Sequence, residues 1–175
     1  MKALGQMVQS CSALKATALA ELWVTHVLAD AALYPVLELA ELLQSLPAEV
    51  LTDEDSGVMR MLNHVAPRLR QTLAKGPRLS GDWSLTTTAN CHCKHCALAA
   101  EFVRSDSRVE GVFAIAEQHR DHVRAQLASL ELPLAFETRE QGSPHKLVVT
   151  KKSSLFVQDA GLFERRTACC ERLGG

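Results

Sequence analysis

Residues Cys91-His92-Cys93-Lys94-His95-Cys96 place three thiols and two imidazoles in one hexapeptide. No other stretch restricts the folding of this chain as strongly. Thiolate sulfur and imidazole nitrogen are the donors Zn²⁺ prefers, and a structural zinc site takes four of them at the corners of a tetrahedron. The Cys-x-Cys-x-x-Cys spacing lets a single loop wrap one ion, with the second cysteine pair forming a knuckle. A fourth donor from a helix would then staple loop to helix. Such a site contributes on the order of 10 kcal/mol to folding in small zinc peptides, which suits a half-chain with a modest apolar core. Three clustered thiols without a metal would be an oxidation liability. The remaining cysteines do not suggest a disulfide framework: Cys169 and Cys170 are adjacent and Cys11 stands alone. An iron–sulfur cluster would need Cys169 or Cys170 as a distant fourth ligand.

Two residues compete as the fourth donor. His119 and His122 lie one helical turn apart on a shared face. Periodicity sets His119 in the middle of an apolar stripe and His122 at its edge. A histidine on such a stripe is more often a satisfied core residue than a ligand, so the residues alone leave both open. His92 and His95, inside the loop, would crowd their neighbouring thiolates and read as solvent-facing.

The surrounding chain is ordinary for a soluble globular protein of 175 residues, with 47% apolar residues, 22% charged residues and a formal net charge of −1. There is no global pull toward nucleic acid or an anionic membrane, so either would need a local patch. The most apolar stretch, Ala16 to Leu43, is interrupted by Glu21, His26, Asp30, Pro35, Glu38 and Glu41. It never reaches the roughly 20 apolar residues of a membrane span. The first residues, Met1 to Gln6, lack a signal-peptide core. These readings predict an intracellular protein of cytoplasm or nucleus with no membrane partner.

The pattern predicts an α+β protein with a helical region over 1–75 and a zinc-stapled module over 82–175, built of loop, helix, β-hairpin and closing helix. Leu14, Ala18, Leu22 and the Trp23–Val27 ridge suggest a helix from Ala13 to about Leu33, restarted or kinked at Pro35. Val58, Met61, Leu62, Val65, Leu69 and Leu73 form another stripe. Leu51 to Gly57 reads as an acidic loop or capped helix start, and Ala74 to Gly81 as a linker. A short helix is expected over Ala97–Val103. Val112, Ile115, Ala116, His119, Val123, Leu127 and Leu130 predict a helix over Glu110–Leu130. Leu134–Thr138 and Lys146–Thr150 flank Gln141-Gly-Ser-Pro144 as a hairpin. Leu155–Leu173 reads as a closing helix interrupted near Gly161.

Asp82-Trp83, Cys91-x-Cys93-x-x-Cys96, Arg120-x-His122-Val123, Thr138-x-x-x-Gly142-Ser-Pro144 and Leu147-Val-Val-Thr-Lys151 together resemble an uncharacterised Cys/His-rich module. That module lies C-terminal to Fe(II)/2-oxoglutarate oxygenase domains in large, mostly eukaryotic proteins. The resemblance covers residues 82 to 152. SWIM-type zinc fingers are loosely similar, but their Cys-x-His element is missing, since Cys96 is followed by Ala97-Leu98. The resemblance implies His122 as the fourth ligand, with His119 as the alternate. It brings no oxygenase chemistry. In His119-Arg120-Asp121, positions i and i+2 of a helix point about 200° apart, so they do not converge on iron with His145.

Three thiolates and an imidazole fill the shell of a zinc ion and favour a structural role. The sequence therefore points to a zinc-binding, non-enzymatic interaction module, with a protein as the first class of partner and nucleic acid as the second. Arg120, Arg124, Arg139, His145, Lys146, Lys151 and Lys152 suggest a basic surface around the hairpin. Two enzymatic readings compete. One is a thiol redox protein using Cys93 and Cys96, activated by Lys94 and His95. The other is a zinc hydrolase, which would keep one coordination position open.

Overall fold

The computed structural model describes residues 2–53, 57–87, 91 and 93–174. The fold is α+β, with eight helices and one three-stranded antiparallel sheet among the described residues. Its contacts divide into two units, Met1–Pro77 with Gly161–Gly175, and Arg78–Ala160. The sequence reading groups residues 161–175 with the metal module, whereas their contacts lie with the N-terminal helices.

The first unit holds α1 (Lys2–Ala13), α2 (Thr17–Ala29), α3 (Val36–Ser45), α4 (Ala48–Leu51) and α5 (Val58–Leu73). The expected helix from Ala13 begins only at Thr17, because Lys15 takes a positive φ of 49° and closes α1. In α2 the buried positions are Ala20, Trp23, Val24 and Val27, the i, i+3, i+4, i+7 pattern of a core face. Leu14 and Leu22 of the predicted stripe point to solvent instead. Pro35 restarts the chain as the extended residue before α3. Met61, Val65 and Leu69 of α5 complete this core, joined by Cys169 from the last helix, α8 (Ser154–Gly174). That helix runs through Gly161 without the predicted interruption. Of the acidic loop Leu51–Gly57, residues 54–56 lie outside the described ones.

In the second unit, α6 (Lys94–Arg104) and α7 (Glu117–Ala128) share an apolar core with β1 (Glu110–Ala114), β2 (Leu134–Arg139) and β3 (Lys146–Lys151), in sheet order β1-β3-β2. The predicted hairpin is present as β2 and β3, with Phe136 opposite Val149 and Thr138 opposite Leu147. The helix predicted over Glu110–Leu130 is two elements. Its first residues pair with β3, Val112 opposite Val148 and Phe113 opposite Leu147. The reason is legible in the alternation of Gly111, Phe113 and Ile115 with outward Glu110, Val112 and Ala114. A period of two won over the period of 3.6 that the longer window suggests.

Gly111 is where the sheet comes closest to α6. A Cβ there would lie 2.8 Å from Cγ of Phe102, a ring only 1% exposed. Phe102 cannot yield, because Phe113 packs edge-on at 6.1 Å and the Lys151 ammonium stands 4.8 Å above the ring. On the opposite face of the sheet, Arg139 reaches across the central strand to Glu110, 3.1 Å away. The register places Val148 between them, which accounts for its 1% exposure on a face turned from the core.

Gly111→Ala should therefore destabilise the second unit by about 2 kcal/mol, the ordinary cost of overpacking a rigid core. Chemical denaturation followed by far-UV dichroism measures it, and an unchanged midpoint would contradict the close approach.

Candidate metal centre

The centre is built at the N-terminal end of α6. Cys93 is the N-cap residue of that helix, and its sulfur accepts a hydrogen bond from the Cys96 amide at 3.4 Å. This is the capping position where an anion meets unsatisfied N–H groups and the positive end of the helix dipole. Cys96, one turn on, faces inward and is buried in the core of the unit. Cys91 lies just before the helix, half-buried. His122 projects from the second turn of α7, with Nε2 at 3.2 Å from Cys91 Sγ.

These four donor atoms all lie within 4.8 Å of one another. A tetrahedral shell with sulfur at about 2.3 Å and nitrogen at about 2.0 Å from an ion spaces its donors roughly 3.5–3.8 Å apart. The four residues lie close enough to bind a metal, and the closure required is about an ångström. Half-buried Cys91 and buried Cys96 border a small apolar cleft walled by Ala99, Val123, Leu127 and Leu130. Cys93 and His122 close the centre on its solvent side.

Electrostatics distinguish the thiols. The Cys96 amide, then its neighbours' hydrogen bonds, hold the Cys93 thiol down at about 6. Burial, reinforced by the adjoining sulfurs, pushes Cys96 up to about 12. A bound divalent cation reverses that preference, because a coordinating thiol is deprotonated outright.

His119 does not join the four donors. Its ring packs against His95 at a centroid distance of 4.5 Å. His95 is accordingly half-buried and not solvent-facing, while His92 lies outside the described residues. The stacking of two imidazoles, one from each helix, leaves no trace in the sequence beyond their presence.

The Arg-x-His element has a geometric reason. Positions i and i+2 of α7 point to opposite sides of the helix. Arg120 is 8% exposed and donates to the carbonyls of Ile115 at 2.9 Å and His145 at 3.4 Å. One turn further, Arg124 donates to Thr138 Oγ1 at 2.8 Å. These arginines fasten α7 to the hairpin, and His122 is thereby turned toward the cysteines. Lys151 is 2% exposed and donates through Nζ to the Ser105 carbonyl at the end of α6. Burial, with Arg108 adding to it, pulls its pKa down to about 8. With Arg139 paired to Glu110, only Lys146 and Lys152 of the six expected lysines and arginines stand free of such ties among the described residues. The basic residues predicted around the hairpin are thus mostly internal fasteners, because a folded unit this small must satisfy its buried carbonyls with long side chains.

No family model, curated protein or solved structure matches the chain. No helix among the described residues is long and apolar enough to cross a membrane.

His122→Ala should weaken metal binding by more than about 100-fold, beyond the range of outer-shell changes, and His119→Ala by about tenfold or less. Competition against a chromophoric chelator measures both. The reverse order would move the fourth donor to His119.

Proposed function

We propose that Cys91, Cys93, Cys96 and His122 hold one structural zinc ion, and that the chain is a non-enzymatic interaction module whose second unit the ion staples. The observation that carries this reading is the convergence of four soft or borderline donors from a loop, a helix start and a second helix. Zinc is the natural occupant of a Cys₃His set, since it accepts tetrahedral sulfur and nitrogen ligands without a redox demand. Four protein ligands complete the shell and leave no open position for a substrate or a hydrolytic water. His122 as the fourth ligand also agrees with the Arg-x-His element of the Cys/His-rich module that the chain resembles. A protein is the partner class favoured, because Arg120, Arg124, Arg139 and Lys151 are committed to internal contacts and leave little cationic surface at the hairpin.

One observation favours a second reading, thiol redox chemistry at Cys93 and Cys96. Cys93 is exposed, caps a helix N-terminus and has a lowered pKa. Metal content decides between the two. The structural reading predicts one zinc per chain, and a cooperative loss of the second unit's fold on chelation. It also predicts that Cys93→Ser loses the metal and melts lower. A folded, metal-free protein with a readily alkylated Cys93 would replace it with the redox reading.

A further inference from the structure

The first unit carries a feature that the metal centre does not use. Between Gly57 and Pro77 the sequence has four Lys or Arg and no Asp or Glu: Arg60, Arg68, Arg70 and Lys75. On α5, Arg60, His64 and Arg68 recur every fourth residue and so form one stripe. The stripe walls an open groove of about 790 Å³ whose opposite wall is α2, through Thr25, Leu28 and Ala29. Arg60 is held on that wall by Glu21 at 2.9 Å and Thr25 Oγ1 at 2.8 Å. The Glu21 pair is solvent-exposed and therefore weak enough to be shared with an incoming anion. Arg68 donates to the carbonyl of His64 on its own helix and meets no carboxylate among the described residues.

The α2 side of the groove is apolar at Leu28 and Ala29, with Thr25 as its polar lining residue. Leu22, Thr25 and Ala29 follow at i, i+3 and i+7, and Leu22 is 70% exposed. Leu19 adds 54% exposure on the same helix, which has apolar residues around its whole circumference. Such a helix in a soluble unit is usually covered on more than one side.

We propose that the α2–α5 groove is the docking site for an acidic amphipathic helix of a protein partner. Its apolar face would lie on Leu22, Leu28 and Ala29. Its carboxylates would meet Arg60 and Arg68, which are about 12 Å apart along α5. Carboxylates seven or eight residues apart on the partner helix match that spacing. A nucleic-acid backbone fits less well: Leu28 and Ala29 make one wall apolar, and no Phe, Tyr or Trp lines the groove to stack a base, His64 being the one ring there. This proposal deepens the interaction-module reading, yet it rests on the first unit and not on the metal.

Fluorescence anisotropy on the full chain tests it. The probe is a labelled helical peptide with leucines at i, i+3 and i+7 and glutamates eight residues apart. Its glutamine counterpart and a single-stranded DNA oligomer serve as comparisons. The expected result is saturable binding of the acidic peptide, at least about tenfold weaker with the glutamine peptide or with Arg68→Glu, since opposed like charges cost that much or more. Leu22→Ser should weaken it as well, and both exposed substitutions should leave the melting temperature unchanged. Absence of binding, equal affinity for the glutamine peptide, indifference to Arg68→Glu, or tighter capture of the DNA would each overturn the proposal. A chain without metal that still binds the peptide loses the structural-zinc reading alone. A zinc-loaded chain that ignores the peptide loses the groove alone.

Discussion

Three sulfurs and an imidazole nitrogen lie within 4.8 Å of one another, and as thiolates the sulfurs would repel unless protons or a cation lay between them. The helix N-terminus relieves part of that repulsion at Cys93, whose sulfur sits on the Cys96 amide. It does nothing for Cys96, which burial drives the other way. Cys91, Cys93, Cys96 and His122 would hold the proposed zinc ion, which would favour the thiolate of the buried Cys96 and leave a single net negative charge on the cluster, and its binding free energy would become folding free energy. Cys91 comes from a loop, Cys93 and Cys96 from the start of α6, and His122 from α7, so the ion would bind together segments that otherwise meet through a small apolar core, the His95–His119 ring contact and the Cys91–His122 hydrogen bond.

The opposite end of α6 is fastened by a different charge. Lys151, from the central strand, donates to the Ser105 carbonyl, while the amides of Trp83 and Leu85 bond the carbonyls of Asp106 and Val103. Anionic sulfur at the N-terminus and an ammonium at the C-terminus both complement the helix dipole. Arg120 and Arg124 then fix α7 against the hairpin, which sets the direction of His122. The second unit is thus held by a few polar ties arranged around two helices, with the sheet supplying one apolar wall.

Much of this was legible in the sequence, and the failures are instructive. The cysteine cluster and the hairpin carry local signals: fixed ligand spacing in one case, and β-branched alternation around Gly142 and Pro144 in the other. Helix existence in the N-terminal part was readable, but its buried face was not. Leu14 and Leu22 fit a stripe as well as Trp23 and Val27 do, and only tertiary packing separates them. β1 was hidden because Gly111 to Ile115 satisfies both periods over so short a run, and its pairing with β3 is a long-range choice. The basic residues misled for a related reason. Charge is visible in a sequence, whereas the carbonyls of Ser105, Ile115 and His145 that absorb it are not. His122 was preferred over His119 only through resemblance; the donor cluster takes in His122, while His119, on the same helical face, packs against His95.

The most direct test of the central claim is X-ray absorption at the zinc edge on the purified full chain. Three sulfurs at about 2.3 Å and one nitrogen at about 2.0 Å from each ion are predicted, with one zinc per chain. A shell of oxygen and nitrogen, a shell with fewer than three sulfurs, or a folded protein carrying no stoichiometric zinc would contradict it.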